Sequence, residues 1–221
     1  SPVCKHRHPL NRGRVPVLFT SSTLHNVFVD PSVRVPFHLD IESQPGARTV
    51  DLWRIWNQSY GLRHEASDTV AVCGLNDVPF LTPNRFRTVL DGWLHDVKAA
   101  NPDNTFRICK VLRPPKYAWF QGTPPTPDYV NYLDRINAYN DIIGEFNWEN
   151  GFDNVIGFSH EGCRGGRKRR SGGRSQLQHQ FSPWREVSQG HEHCLHLNDQ
   201  SRAVMFRKLC TYIKHNIIKE Y

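Results

Sequence analysis

Thr69-Val70-Ala71-Val72-Cys73-Gly74-Leu75-Asn76-Asp77 constrains the fold more than any other stretch of the chain. It opens on small or β-branched apolar residues that do not alternate with polar ones, and it ends abruptly in Gly-Leu-Asn-Asp. An unbroken apolar run of this length suits a strand buried on both faces, the mark of a parallel sheet covered by helices. Polar groups at the carboxyl end of such a strand face the crevice where α/β proteins place their sites. Spacing alone favours a plainer role for Asn76 and Asp77, as caps of the helix that follows. The deciding question is whether other strands deliver chemistry to the same edge.

The flanking sequence supplies such strands. Val15–Phe19 reads as a first strand ending in the hydroxyl-rich turn Thr20-Ser21-Ser22-Thr23, and residues 33–41 read as an extended segment before the turn Ser43-Gln44-Pro45-Gly46-Ala47. Residues 49–59 have helical spacing through Val50, Trp53 and Ile55/Trp56, with Arg48 and Arg54 just outside the stripe. After the central strand come a helix over 84–100 (Phe86, Val89/Leu90, Trp93/Leu94, Val97), a strand over 105–112, a Pro-rich loop over 113–128 and a helix over 129–147. A last strand over 154–158, a long loop over about 160–195 and a terminal helix from Asp199 or Ser201 to about 218 complete the series. Helices alternating with strands imply an α/β fold, a three-layer sandwich around a central, mainly parallel sheet. At 221 residues the chain suits a single such domain over 15–221, preceded by a flexible basic arm over 1–14.

Composition narrows the function classes. An apolar content of 38% with six Trp argues against wholesale disorder. No apolar run approaches a membrane span and no leader precedes a cleavage site, so no membrane partner is expected. The start at Ser reads as an excised fragment. Cys4, Cys73, Cys109, Cys163, Cys194 and Cys210 contain no CxxC pair, and two lie in expected strands, which suits reduced, packed thiols in a cytoplasmic protein. The net charge is +7, and residues 163–174 alone carry Arg164, Arg167, Lys168, Arg169, Arg170 and Arg174 with no acid. Without those six the balance is 22 against 21, so the positive field is local, as a phosphate-binding surface requires.

A hydroxyl-rich turn after the first strand, Pro-Gly-Ala after the second, Gly-Leu-Asn-Asp after the third and His-Leu-Asn-Asp before the last helix stand in the order of the SGNH (GDSL-type) hydrolase blocks. The chain resembles that family from about residue 15 to 215. The resemblance places Ser22 at the nucleophile, Gly46 and Asn76 at the oxyanion-holding positions and His196 at the histidine of the triad. Two departures stand out: Thr20-Ser21-Ser22 replaces Gly-Asp-Ser, and the triad-acid position holds His193. Loss of a triad carboxylate costs on the order of 10⁴ in rate in serine proteases. The expectation is therefore a degenerate site, Ser22, Gly46, Asn76, His193 and His196, in a protein that is not an enzyme; an active serine esterase or lipase is the alternative.

A degenerate SGNH domain with a basic surface and cytoplasmic thiols resembles the RNA-binding SGNH-like domains of insect germ-plasm organisers. That resemblance implies RNA, in 3′ untranslated regions of messenger RNA, as partner, other germ-plasm proteins as further partners, and a place in the germ plasm at the posterior pole of the oocyte. Candidate contacts are Arg167, Lys168, Arg169, Arg170 and Arg174 in the Gly/Arg segment, a composition that tracks phosphate backbones. Arg48 and Arg54 flank the old cleft, Lys116 sits beside Tyr117, Trp119 and Phe120, and Arg185 follows Trp184; cations beside aromatics suit unpaired bases. His191, His193, Cys194 and His196 lack a partner cluster at zinc spacing, so neither metal nor cofactor is expected.

Overall fold

The computed structural model describes residues 11–21, 23–24, 33–113, 127–152 and 199–219. Among the described residues, four parallel strands form one sheet: β1 (Pro16–Thr20), β2 (Asp40–Ser43), β3 (Asp68–Val72) and β4 (Thr105–Ile108), in the order β2-β1-β3-β4. Every residue of β1 and β3 is buried, as an unbroken apolar strand between two helical layers demands.

Alternation along these strands separates two cores. Val17, Phe19, Ala71, Cys73, Phe106 and Ile108 point to one face. They meet α1 (Thr49–Gln58), α3 (Pro83–Ala100) and α4 (Pro127–Glu149), with Trp56, Phe86, Trp93, Tyr139 and Phe146 filling the layer. Leu18, Val70, Val72 and Cys109 point to the other face, where Phe206, Leu209 and Ile213 of α5 (Asp199–Ile213) cover them. This is the expected α/β three-layer sandwich. A short α2 (Tyr60–Glu65), which the sequence reading did not anticipate, links α1 to β3, and a π-helical turn, Lys214–Ile218, extends α5.

Three boundaries differ from expectation. The extended segment at 33–41 yields a strand only from Asp40. Ahead of it, Asn11 binds the carbonyl of His38 through Nδ2 (2.8 Å) and accepts its N–H on Oδ1 (2.9 Å), so a side chain takes the groups a ladder would use. Likewise β4 ends at Ile108 rather than 112, because two amides of α4 supply the pairing. Asn147 bonds both backbone groups of Ile108 (3.0 and 2.9 Å), and Asn140, one heptad earlier on the same face, bonds both of Val111 (2.6 and 3.0 Å). Finally, α1 keeps most of the expected stripe, with Trp56 buried and Trp53 and Ile55 packed against the core, and departs from it at two positions. Leu52 is buried while Val50 is 36% exposed. Tyr212 on α5 is half-buried. The expected strand at 154–158 and the long loop that follows lie outside the described residues.

Candidate functional site at the carboxyl edge of the sheet

Chain order β1 to β2 steps one way across the sheet, and β2 to β3 returns past β1 to the other side. The crevice of an open α/β sheet forms at such a reversal, outside the carboxyl ends of the two strands that flank it, here Thr20 and Val72. Ser21 follows β1 and ties the two ends, its N–H bonding the carbonyl of Val72 (3.2 Å). Its own hydroxyl is buried and has no hydrogen-bond partner among the described residues.

Gly74 turns the chain out of β3. Its φ is +107°, and a Cβ there would lie 2.8 Å from Val111 Cγ2, so only glycine fits both the backbone and the space. Leu75–Asp77 then forms one 3₁₀ turn. Asn76 and Asp77 do not cap a following helix, as their spacing suggested. The next helix, α3, starts at Pro83 and is capped by Thr82, whose hydroxyl accepts from the Arg85 N–H (3.4 Å).

Both residues instead reach back to the turn after β2. Asn76 Nδ2 donates to the carbonyl of Ala47 (3.0 Å). Fully buried Asp77 accepts from the backbone N–H (3.0 Å) and hydroxyl (2.7 Å) of Thr49 at the start of α1. Burial pushes the Asp77 carboxyl above its usual range; the two Thr49 hydrogen bonds and nearby Arg48 oppose the rise. This clamp ties the first turn of α1 to the turn after β3. Gly46, at φ +69°, directly precedes the Ala47 whose carbonyl Asn76 holds, so the turns after β2 and β3 meet at the rim.

Arg48 sits between them in sequence and beside them in space. Its guanidinium lies 3.5 Å from the centroid of the Phe80 ring, and Phe80 is 58% exposed. Arg54 projects from the exposed side of α1 and pairs with Asp51 (3.2 Å). Exposed pairs of that kind contribute about 0–1 kcal/mol, so an incoming phosphate can displace it. Phe80 was missed in the sequence reading because it is separated by 32 residues from the arginine it supports, with no local pattern joining them. Ser22, His193, His196, Lys116, Arg167, Lys168, Arg169, Arg170, Arg174 and Arg185 lie outside the described residues. Of the expected site, the structure therefore brings together Gly46, Arg48 and Asn76.

No protein-family model and no curated protein sequence matches the chain. Solved structures do. A lipase/acylhydrolase from Enterococcus faecalis is similar at TM-score 0.55 and 13% identity, covering 91% of this chain and 95% of its own. A GDSL-like lipase from Bacteroides thetaiotaomicron is similar at TM-score 0.60 and 12% identity, covering 92% and 90%. An extracellular lipase from Streptomyces rimosus is similar at TM-score 0.55 and 13% identity, covering 90% and 98%. The chain has the fold of the SGNH hydrolases. These likenesses correct the expectation of a protein that is not an enzyme: the solved structures that share its architecture are lipases and acylhydrolases.

Proposed function

We propose that this SGNH-like chain binds RNA at the carboxyl rim of its sheet, with the crevice there offering an anion-binding surface. In its blocks and basic segment it resembles the carboxyl-terminal domain of Oskar, the insect germ-plasm organiser. On that reading its targets are 3′ untranslated regions of messenger RNA, its further partners are germ-plasm proteins, and its place is the cytoplasm at the posterior pole of the oocyte. The observation that carries the reading is the Arg48–Phe80 stack: a planar cation layered on an exposed ring at the rim of the crevice. Single-stranded RNA is held by cations on its phosphates and by flat groups on its bases, and this pair presents both. The Gly/Arg segment at 163–174 adds a sequence-independent electrostatic component.

A salt titration of RNA binding tests it. If about six phosphates are neutralised, log K falls against log salt with a slope near −4 for a single strand. A slope near zero sinks the proposal.

A second reading, acyl-ester hydrolysis through Ser22 and His196, is favoured by the hydrogen bond that holds Asn76 to Ala47, in the turn that carries Gly46. Oxyanion donors must be preorganised around the reacting centre, and the bond from Asn76 to Ala47 holds its amide in place. Treatment with a fluorophosphonate, followed by peptide mapping, decides this reading. A covalent adduct on Ser22 supports it, and inertness of Ser22 with no turnover of activated esters ends it.

A further inference from the structure

At the opposite, amino end of the sheet lies a cavity of about 550 Å³, within the usual size range of small-ligand sites. Its described lining includes four cations, Arg12, Arg14, Arg107 and Lys219, against one acid, Asp68. The aromatic rings of Phe152 and Tyr212 complete the wall.

Asp68 is already committed. It accepts Arg14 through both carboxylate oxygens (3.1 and 2.8 Å), the hydroxyl of Ser67 (2.6 Å) and that of Thr105 (2.5 Å). Arg107, 6% exposed, stands 3.8 Å from the same carboxylate. Its NH1 donates to the Tyr212 hydroxyl (3.2 Å), and its guanidinium lies 4.0 Å from the Phe152 centroid. Its buried Nε has no hydrogen-bond partner among the described residues. One carboxylate thus faces the charge of two arginines, while Arg12 and Lys219 add two more at the exposed mouth. Both mouth residues hold a left-handed backbone, at φ 46° and 58°, where non-glycine residues are uncommon. Among the described residues, a half-open pocket lined by more cations than acids suits an anion, and its volume admits a nucleotide as well as a bare ion.

We propose that this cavity binds the phosphate of a nucleotide, either free or as part of an RNA strand. The inference is independent of the carboxyl-rim reading, since it uses none of the same residues.

The test compares the unmodified full chain with the variant Arg12→Asp/Lys219→Asp, because aspartate tolerates the left-handed backbone that both positions require. Arg85→Asp, on exposed α3 surface, serves as the charge control. Titration with adenosine monophosphate, followed by calorimetry, is expected to show saturable binding that weakens tenfold or more in the double variant and holds in the control. Anisotropy with single-stranded RNA then separates the two sources. If the strand supplies the phosphate, the double variant also binds RNA more weakly and its salt slope shrinks by about 1.4, for two lost phosphate contacts. If RNA affinity is unchanged, the free nucleotide is the ligand. Absence of saturable adenosine monophosphate binding, or equal binding by the double variant, overturns the proposal even if RNA binding at the carboxyl rim stands.

Discussion

Asp77 joins the turn after β3 to the first turn of α1 through one buried carboxylate on Thr49. Because burial raises its pKa in the folded state, that state binds a proton more readily than the unfolded chain does. The stability contributed by protonation is fully present below the ordinary carboxylate value of about 4 and is lost as pH rises through the raised folded value. The stability of the native protein minus that of Asp77→Asn, from urea melts at several pH values, should therefore fall as pH rises from about 4; a difference that grows with pH contradicts the assignment. Asn147 makes a parallel case. Replacing it with Leu leaves the N–H and C=O of Ile108 buried and unpaired, an expected loss of about 3 kcal/mol in the same melts. Neither role was legible in the sequence. Asn76 and Asp77 stood out because a polar pair ended an apolar strand, but the partner of Asp77 is 28 residues away. Asn140 and Asn147 looked like ordinary polar positions in a helix, and only the end of β4 beneath them gives them work.

At the scale of elements, α3 crosses α1 at a point where there is no room for a methyl group. A Cβ on Gly92 would lie 2.5 Å from the Trp53 ring, and Trp53 cannot swing aside freely because its Nε1 donates to Asp96 on α3 (2.8 Å). Gly92→Ala gains about 1 kcal/mol in helix propensity. Overpacking costs about 1–3 kcal/mol, so the variant is expected to melt at or below the native temperature rather than above it. A clear rise in Tm would show that the crossing has slack. The elements themselves were the most legible part of the chain. The 3.6-residue periodicity of Phe86, Leu90, Trp93 and Val97 survives intact, as does that of Ile136, Tyr139, Ile143 and Phe146. The facing of α1 was legible at Trp53, Ile55 and Trp56 but not at Val50, which is exposed, nor at Leu52, which is buried. The ends of β2 and β4 were hidden as well: side chains of Asn11, Asn140 and Asn147 replace ladder partners, and the strand pattern in the sequence runs past the strand in the structure.

For the whole molecule, the sheet has two chemically different ends. The carboxyl edge carries Gly46 and Asn76, with Arg48 and Phe80 at its rim. The amino edge carries a basic cavity that owes nothing to those blocks. A fold shared with lipases at 12–13% identity supplies the frame, while the chemistry depends on residues placed on that frame. The central claim is that RNA lies across the carboxyl rim. Ultraviolet crosslinking of the full chain to single-stranded RNA, with adducts mapped by mass spectrometry, tests it most directly. The expected result is a nucleotide adduct on the peptides carrying Arg48 and Phe80, lost when Arg48 is changed to Glu. Crosslinks that persist unchanged in that variant, or an absence of adducts on those peptides, would contradict the claim.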